Sequence, residues 1–308
     1  MAMRTEKFVF SGSGGVKLPA VLWLPEARPK RILQIAHGMT EHIGRYETLA
    51  KALSEQGIAV AGYDLRGHGQ NPGNSDVASF GENGWEASLE DMRLFYAHLS
   101  DRFPGVPHDM LGFSLGSFLL REYLGRWCEG VSRAIIMGTG HQSAPVLSVM
   151  MAIVKGQVRR GGFDNTTDLV RKLSFGTYNQ KFKPNRTQSD WLCADKTRLD
   201  AYLADPLCRR DISSGLFWQL LGAMKRTGSR SACSAWNKNM PVLLISGQDD
   251  PVGDGGRGVR AVKKQLDAAG LKDVSLQMLP GARHVLLDEH ESGAADEAVR
   301  LICDWLKE

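Results

Sequence analysis

Short apolar runs alternate with amphipathic stretches over the first 140 residues, and the same rhythm returns after residue 240. Glu6–Ser11 and Val16–Leu24 read as a strand pair around the Gly12–Gly15 turn. Arg31–Ala36 (RILQIA) and Ile58–Tyr63 read as buried strands, and His108–Gly112 and Ala134–Met137 as short strands. Between them Tyr46–Gln56 reads as a helix stopped by Gly57. Trp85–Phe103 reads as a second helix, with Trp85, Leu89, Met92 and Tyr96 at three- and four-residue spacing, and Leu115–Leu124 as a third. Later come strand Val242–Ser246, helix Val259–Ala269, strand Val274–Met278 and helix Ala294–Lys307. Strands alternating with helices predict an α/β fold: a mostly parallel central sheet flanked by helices.

The alternation fails between His141 and Ala235. Two apolar stretches there, Pro145–Lys155 and Gly215–Met224, read as helices, separated by loops rich in Gly, Asn, Thr and Arg. The expected organisation is therefore a sheet domain from residues 1–140 and 236–308, with residues 141–235 inserted as a helical cap. The apolar residues of the insertion cluster as Val146, Leu147, Val149, Met150, Met151, Ile153 and Val154, then as Leu216, Phe217, Trp218, Leu220 and Leu221. Two readings fit them: packing of cap on core, or an acyl-chain groove that opens at a lipid surface.

Candidate chemistry lies where the strands end. Gly112-Phe113-Ser114-Leu115-Gly116 is a G-x-S-x-G between a strand and a helix, the place of a nucleophile elbow. The pattern is short, and an N-cap serine in a glycine-rich turn is the plain alternative. His37-Gly38-Met39-Thr40 follows the strand Arg31–Ala36; either it places the Met39 N–H at the strand's carboxyl edge, as the second expected oxyanion donor after the N–H of Leu115, or it is a plain βα turn using Gly38 for its backbone angles. Asp249 and Asp250 follow the strand Val242–Ser246; either carboxylate can orient a histidine, and Asp250, three residues past Gly247, is preferred. His284 follows the last strand. Ser114, Asp250 and His284 occur in the order serine, acid, histidine, and side chains at the carboxyl ends of parallel strands converge on one edge. No phosphate-binding G-x-x-x-x-G-K-[ST] is present, and His37, Glu41 and His42 match neither HExxH nor HxxEH spacing. No metal or organic cofactor is required.

These residues resemble the monoacylglycerol lipase and lysophospholipase branch of the serine α/β-hydrolases, a group related to the serine aminopeptidases. The resemblance spans nearly the whole chain through HGMTEHIGRY (His37–Tyr46), DLRGHG (Asp64–Gly69), GFSLG (Gly112–Gly116), SGQDDPVG (Ser246–Gly253) and PGARHVLLDE (Pro280–Glu289). Within the insertion, DWLCADKTRLDAYLADPLC (Asp190–Cys208) is similar to bacterial members. The resemblance implies an α/β-hydrolase fold, Ser114 as nucleophile, Asp250 as acid, His284 as base, and Met39 and Leu115 as oxyanion donors. Phe113 and Ser117 depart from it, standing where the family often has histidine and a third glycine. The implied reaction is hydrolysis of a monoacylglycerol, lysophospholipid or related acyl ester through an acyl-enzyme. Transfer of the acyl group to an alcohol, or aminopeptidase activity, are the alternatives within the fold; a non-catalytic binding protein of the same fold is disfavoured because the serine and histidine are both kept. An aminopeptidase would want carboxylates near the substrate ammonium, yet residues 141–235 contain no Glu.

The chain has 308 residues, 43% hydrophobic and 23% charged, enough for a large core without staples. The longest nearly unbroken apolar stretch, Ala144–Val154, is far short of the ~20 residues of a membrane-spanning helix, and the N-terminal residues lack the apolar run of a secretory signal. The five cysteines, Cys128, Cys193, Cys208, Cys233 and Cys303, form no CxxC pair, which suits free thiols in a reducing compartment. The expectation is a cytoplasmic protein with peripheral contact at membranes. A net charge of +4 makes no case for nucleic acid. It is unevenly spread: residues 141–235 hold 15 Lys+Arg against 7 Asp+Glu, a net +8, so the remainder is −4. Either the insertion has a solvated basic surface, or it faces anionic lipid headgroups. Nothing in the pattern bears on oligomeric state.

Overall fold

The computed structural model describes residues 3–71, 77–208 and 211–307. Among them the chain forms strands β1 (Arg4–Ser11), β2 (Lys17–Leu24) and β3 (Arg31–Ala36), helix α1 (Glu47–Ser54), strand β4 (Ile58–Tyr63), a two-residue strand β5 (Val77–Ala78), helix α2 (Gly84–Arg102), strand β6 (His108–Phe113), helix α3 (Leu115–Leu124) and strand β7 (Val131–Met137). Helices α4 (Ala144–Gly161), α5 (Asp168–Phe175) and α6 (Lys196–Ala204), a two-residue strand β8 (Asp211–Ile212) and helix α7 (Ser214–Thr227) follow. Strand β9 (Val242–Gly247), helix α8 (Arg257–Ala268), strand β10 (Val274–Leu279) and helix α9 (Ala294–Lys307) complete it.

The main sheet has the order β1-β2-β4-β3-β6-β7-β9-β10. β1 and β2 are antiparallel, β2 is antiparallel to β4, and every other neighbouring pair is parallel. β4, β6 and β9 are buried along their whole length, as strands covered on both faces must be. Their side chains alternate between two cores. Ile32, Ala59, Met110, Ile136 and Leu244 face one, with α2, α3 and α8 packed on it. Leu33, Val60, Leu111, Ile135 and Ile245 face the other, against α1 and α9. This is the mostly parallel sheet flanked by helices that the sequence predicts, an α/β-hydrolase fold.

From β3 the chain moves to β4 on one side, then crosses to β6 on the other. Loops leaving β3 and β6 diverge at such a switch point and leave a crevice beyond the strands' carboxyl ends. Register aligns those ends: Ala36 pairs with Gly112, Phe113 with Met137, Met137 with Ile245, and Gly247 with Leu279.

Between β7 and β9 no described residue joins the main sheet. The helices expected there start close to prediction, though α4 runs on past Lys155 to Gly161, and α5 and α6 lie where loops were expected. Both are short and bury little, α5 only Val170 and Ser174 and α6 only Leu199, although α5 is itself amphipathic. Nor is the segment wholly helical, since β8 pairs in parallel with β5. α7 buries Leu216, Phe217, Leu220 and Leu221. α4 buries Leu147 and Val154 but leaves Val146, Val149 and Ile153 exposed. No helix among the described residues is long and apolar enough to cross a membrane.

Candidate active site

Ser114 stands between β6 and α3 with φ 49° and ψ −114°. A non-glycine residue there carries strain of about 1–3 kcal/mol, so its neighbours must hold it. Its N–H donates to the Met137 carbonyl at 3.0 Å, and its own carbonyl accepts the Ser117 N–H at 2.9 Å and the Ser117 hydroxyl at 2.6 Å. Ser117 thus braces the turn, with a hydroxyl that a glycine would lack. The flanking glycines are required by space. A Cβ on Gly112 would strike the Gly116 carbonyl, and one on Gly116 the Ala36 carbonyl.

His284 lies in the loop after β10, 3% exposed. Its Nε2 is 2.9 Å from Ser114 Oγ, and its Nδ1 is 2.9 Å from Asp250 Oδ2. Asp250 is fully buried, and its Oδ1 accepts the Val252 N–H at 2.8 Å. The adjacent Asp249 turns outward and pairs with Lys181 at 2.6 Å. Of the two carboxylates left open by the sequence, Asp250 is therefore the one in contact with the histidine.

Met39 follows β3, and Leu115 is the first residue of α3, where the N–H has no acceptor within its own helix. Met39, Ser114, Leu115 and His284 all line one cavity of about 1010 Å³. Phe118, Phe175, Phe217, Leu220 and Met224 give it apolar wall; Arg171, Lys172, Asn179, Asn185 and Gln188 give it polar wall. Its carboxylates are all engaged. Glu41 accepts from Gly38, Tyr46 and Arg45, while Asp168 and Asp211 both pair with Arg171.

Several residues here carried no assigned role in the sequence reading. Glu41 Oε1 accepts the Gly38 N–H at 2.5 Å and the Tyr46 hydroxyl at 2.8 Å. Arg45 links Glu41 to Asp288, and Arg198 of α6 also pairs with Asp288. The His37 Nε2 accepts the Leu65 N–H at 2.9 Å, so its Nδ1 carries the proton given to the Gly38 carbonyl at 2.7 Å. Burial pushes the His37 pKa down to about 4, leaving it a neutral tie between the loops after β3 and β4. Glu289 accepts the N–H groups of Arg283 and Ala194, and the Val285 N–H donates to the Leu192 carbonyl at 2.8 Å. The segment around Trp191 therefore clasps the His284 loop from both sides. The Trp191 and Phe113 rings lie 5.2 and 4.9 Å from the imidazole. Spacing offered a signal for Glu41, three residues after Gly38 in the HGMTEH segment; for Trp191 only the quoted DWLCAD segment pointed there.

A serine on a strained turn, hydrogen-bonded to an imidazole that is oriented by a buried carboxylate, is the arrangement of an activated nucleophile. A family model described as serine aminopeptidase, S33, matches residues 27–291. A monoacylglycerol lipase of Mycolicibacterium smegmatis is 25% identical over 92% of this chain and 91% of its own length. Human monoglyceride lipase is 28% identical over 87% of this chain and 79% of its own. Among solved structures, a thermostable carboxyl esterase from Bacillus coagulans in complex with glycerol superposes with a TM-score of 0.89 at 24% identity, covering 99% of both chains. A soluble variant of the Saccharomyces cerevisiae monoglyceride lipase superposes at 0.75, with 19% identity over 98% of this chain and 94% of that one.

Proposed function

The chain belongs to the serine aminopeptidase S33 family of serine α/β-hydrolases, in its monoacylglycerol lipase-like branch, and on that premise we propose that it hydrolyses carboxylic esters of long-chain acyl groups, with monoacylglycerols and lysophospholipids as the substrate class. The observation that carries this is the hydrogen-bonded chain Ser114–His284–Asp250 beside a large cavity with apolar wall.

In this reading His284 Nε2 takes the Ser114 hydroxyl proton as Oγ attacks the ester carbonyl. Asp250 holds the imidazole with Nδ1–H toward itself and stabilises the imidazolium. The N–H groups of Met39 and Leu115 receive the oxyanion, each contributing roughly 3–4 kcal/mol in the transition state. His284 returns the proton to the departing alcohol and leaves an acyl-Ser114. Water, deprotonated by the same nitrogen, then releases the fatty acid and regenerates the hydroxyl.

Esters are favoured over peptides because an aminopeptidase needs a free carboxylate for the substrate ammonium. Every carboxylate lining the cavity among the described residues is already bonded. We take residues 141–235 as a cap over this site. The exposed Val146, Val149 and Ile153 on α4, close in sequence to Arg159 and Arg160, support contact with an anionic lipid surface.

The test is a panel of 4-nitrophenyl esters of increasing chain length, run beside a monoacylglycerol, lysophosphatidylcholine and amino-acid anilides, with Ser114→Ala as control. Activity rising with chain length, absent on the anilides and reduced on the order of 10⁶ in kcat by Ser114→Ala is expected. Activity confined to the shortest esters would remove the lipid reading; stoichiometric fluorophosphonate labelling of Ser114→Ala would remove the nucleophile.

A further inference from the structure

One mixed donor cluster takes no part in the hydrogen-bonded chain Ser114–His284–Asp250. His42 lies just before the short turn Ile43–Tyr46, in the loop that also carries Met39. Its Nε2 is 3.0 Å from Asp205 Oδ2, at the carboxyl end of α6. The chain then turns back on itself, the Cys208 N–H donating to the Asp205 carbonyl at 3.1 Å. That turn brings the thiol to the same place: one ligand atom each from His42, Asp205 and Cys208 lies within 4.8 Å of the others.

We propose that His42, Asp205 and Cys208 form a binding site for a zinc-class divalent cation, seated between the loop after β3 and the end of α6. The donor set selects the ion. Imidazole and thiolate suit borderline-soft metals, whereas calcium and magnesium ask for oxygen ligands throughout. Tetrahedral zinc, with bonds of about 2.0–2.3 Å, sets its donors on the order of 3.3–3.8 Å apart. The His42–Asp205 edge, at 3.0 Å, must open slightly, and the edges to the Cys208 sulfur, within 4.8 Å, must reach that size. Cys208 also lines the cavity, which gives the fourth position access to water. Among the described residues, the neighbouring cation Arg45 is already paired with both Glu41 and Asp288. When the metal–sulfur bond forms, the S–H proton leaves to solvent and no electrons are transferred. The ion then ties α6 to the loop carrying Met39, beside the existing bond of 2.9 Å between the Tyr202 and Thr40 hydroxyls.

The experiment uses the full chain, stripped with chelator, and Co²⁺ alone as probe. One Co²⁺ per chain is expected, with a thiolate-to-cobalt absorption band in the near ultraviolet and visible bands of tetrahedral strength, all displaced by equimolar Zn²⁺. Cys208→Ser, which keeps the His42–Asp205 pair, should lose the charge-transfer band. Asp205→Asn should weaken Co²⁺ binding at least tenfold. Cys128→Ser, altering a thiol that bonds instead to the Ala235 carbonyl, should keep both signals. Zn²⁺ should raise the Tm of the parent and not of Cys208→Ser or Cys208→Ala. No charge-transfer band in the parent at millimolar Co²⁺ would overturn the site and leave a plain His–Asp hydrogen bond. A band that survives in both Cys208 variants would also overturn it, by placing the ion on another thiol. Neither outcome touches the ester-hydrolase reading, which is tested at Ser114.

Discussion

Glu41 accepts the backbone N–H of Gly38 at 2.5 Å, one residue before the N–H assigned to the oxyanion. The same oxygen takes the Tyr46 hydroxyl, and its partner oxygen takes Arg45. A buried carboxylate with three donors is a rigid anchor, and here it sets where the Met39 N–H lies. Glu41→Ala should free the loop and lower kcat by about 10² while KM changes only a few-fold, because the contact matters in the transition state. Glu41→Gln keeps an acceptor for Gly38 and should fall between. Steady-state kinetics on a soluble ester separate the two constants; a raised KM with kcat intact would show that Glu41 shapes the pocket instead.

Asp249 and Asp250 are adjacent in sequence and opposite in environment. Asp250 is buried against His284 Nδ1, while Asp249 pairs with the exposed Lys181. Asp250→Asn keeps the shape but offers His284 a donor or a neutral acceptor, so kcat should fall by about 10⁴. Asp249→Asn breaks an exposed pair worth roughly 0–1 kcal/mol and should leave kcat within about twofold. Equal losses in the two variants would contradict the assignment of the acid.

The contrast shows what the sequence could carry. Ser114 and Asp250 were legible because each follows a strand buried along its whole length, and His284 because it follows β10, a half-buried edge strand whose apolar and polar residues alternate; these patterns are visible without tertiary information. Between the two neighbouring aspartates the spacing favoured Asp250 without excluding Asp249, since which one turns inward depends on Lys181 and His284 arriving from other segments. Trp191, placed over His284 by the clasp of Leu192 and Glu289 on the histidine loop, is invisible to local pattern. α5 and α6 escaped for another reason. Each is short, eight and nine residues, and buries few side chains, and each is held by a side-chain cap, Thr167 and Asp195, and by its neighbours.

His108 gives a prediction about acid stability. It is buried in β6, stacked on Tyr96 at 4.1 Å, and burial lowers its pKa to about 3. In the unfolded chain it protonates near 6.5. Between those values the unfolded state binds the extra proton and the native state does not. Stability is therefore intact above about pH 6.5 and falls as pH drops toward 3, by about 1.4 kcal/mol per pH unit for one such group. His37, lowered to about 4, adds a second term over much of the same range. His108→Leu should remove one proton's worth of slope. Urea melts at several pH values from 7 to about 4.5 measure it; an unchanged slope would mean His108 titrates normally in the fold.

The surface of α4 yields the last prediction. Val146, Val149 and Ile153 are spaced three and four apart, so they share one face, and they are 43%, 61% and 40% exposed. None of them lines the cavity. Exposed apolar residues in such a row are costly to leave in water without a partner, and Arg159 and Arg160 end the same helix. If α4 lies on a lipid surface, Val149→Asp should lower the rate on monoacylglycerol in anionic vesicles several-fold and leave a soluble short-chain ester nearly unaffected. Arg159→Glu and Arg160→Glu should each weaken vesicle binding by about 1 kcal/mol or more, in a way that added salt erases. Vesicle co-sedimentation and parallel assays on the two substrates measure this. Equal losses on vesicle and soluble substrate, or equal salt sensitivity for both, would mean that α4 supports the site through packing and not through contact with lipid.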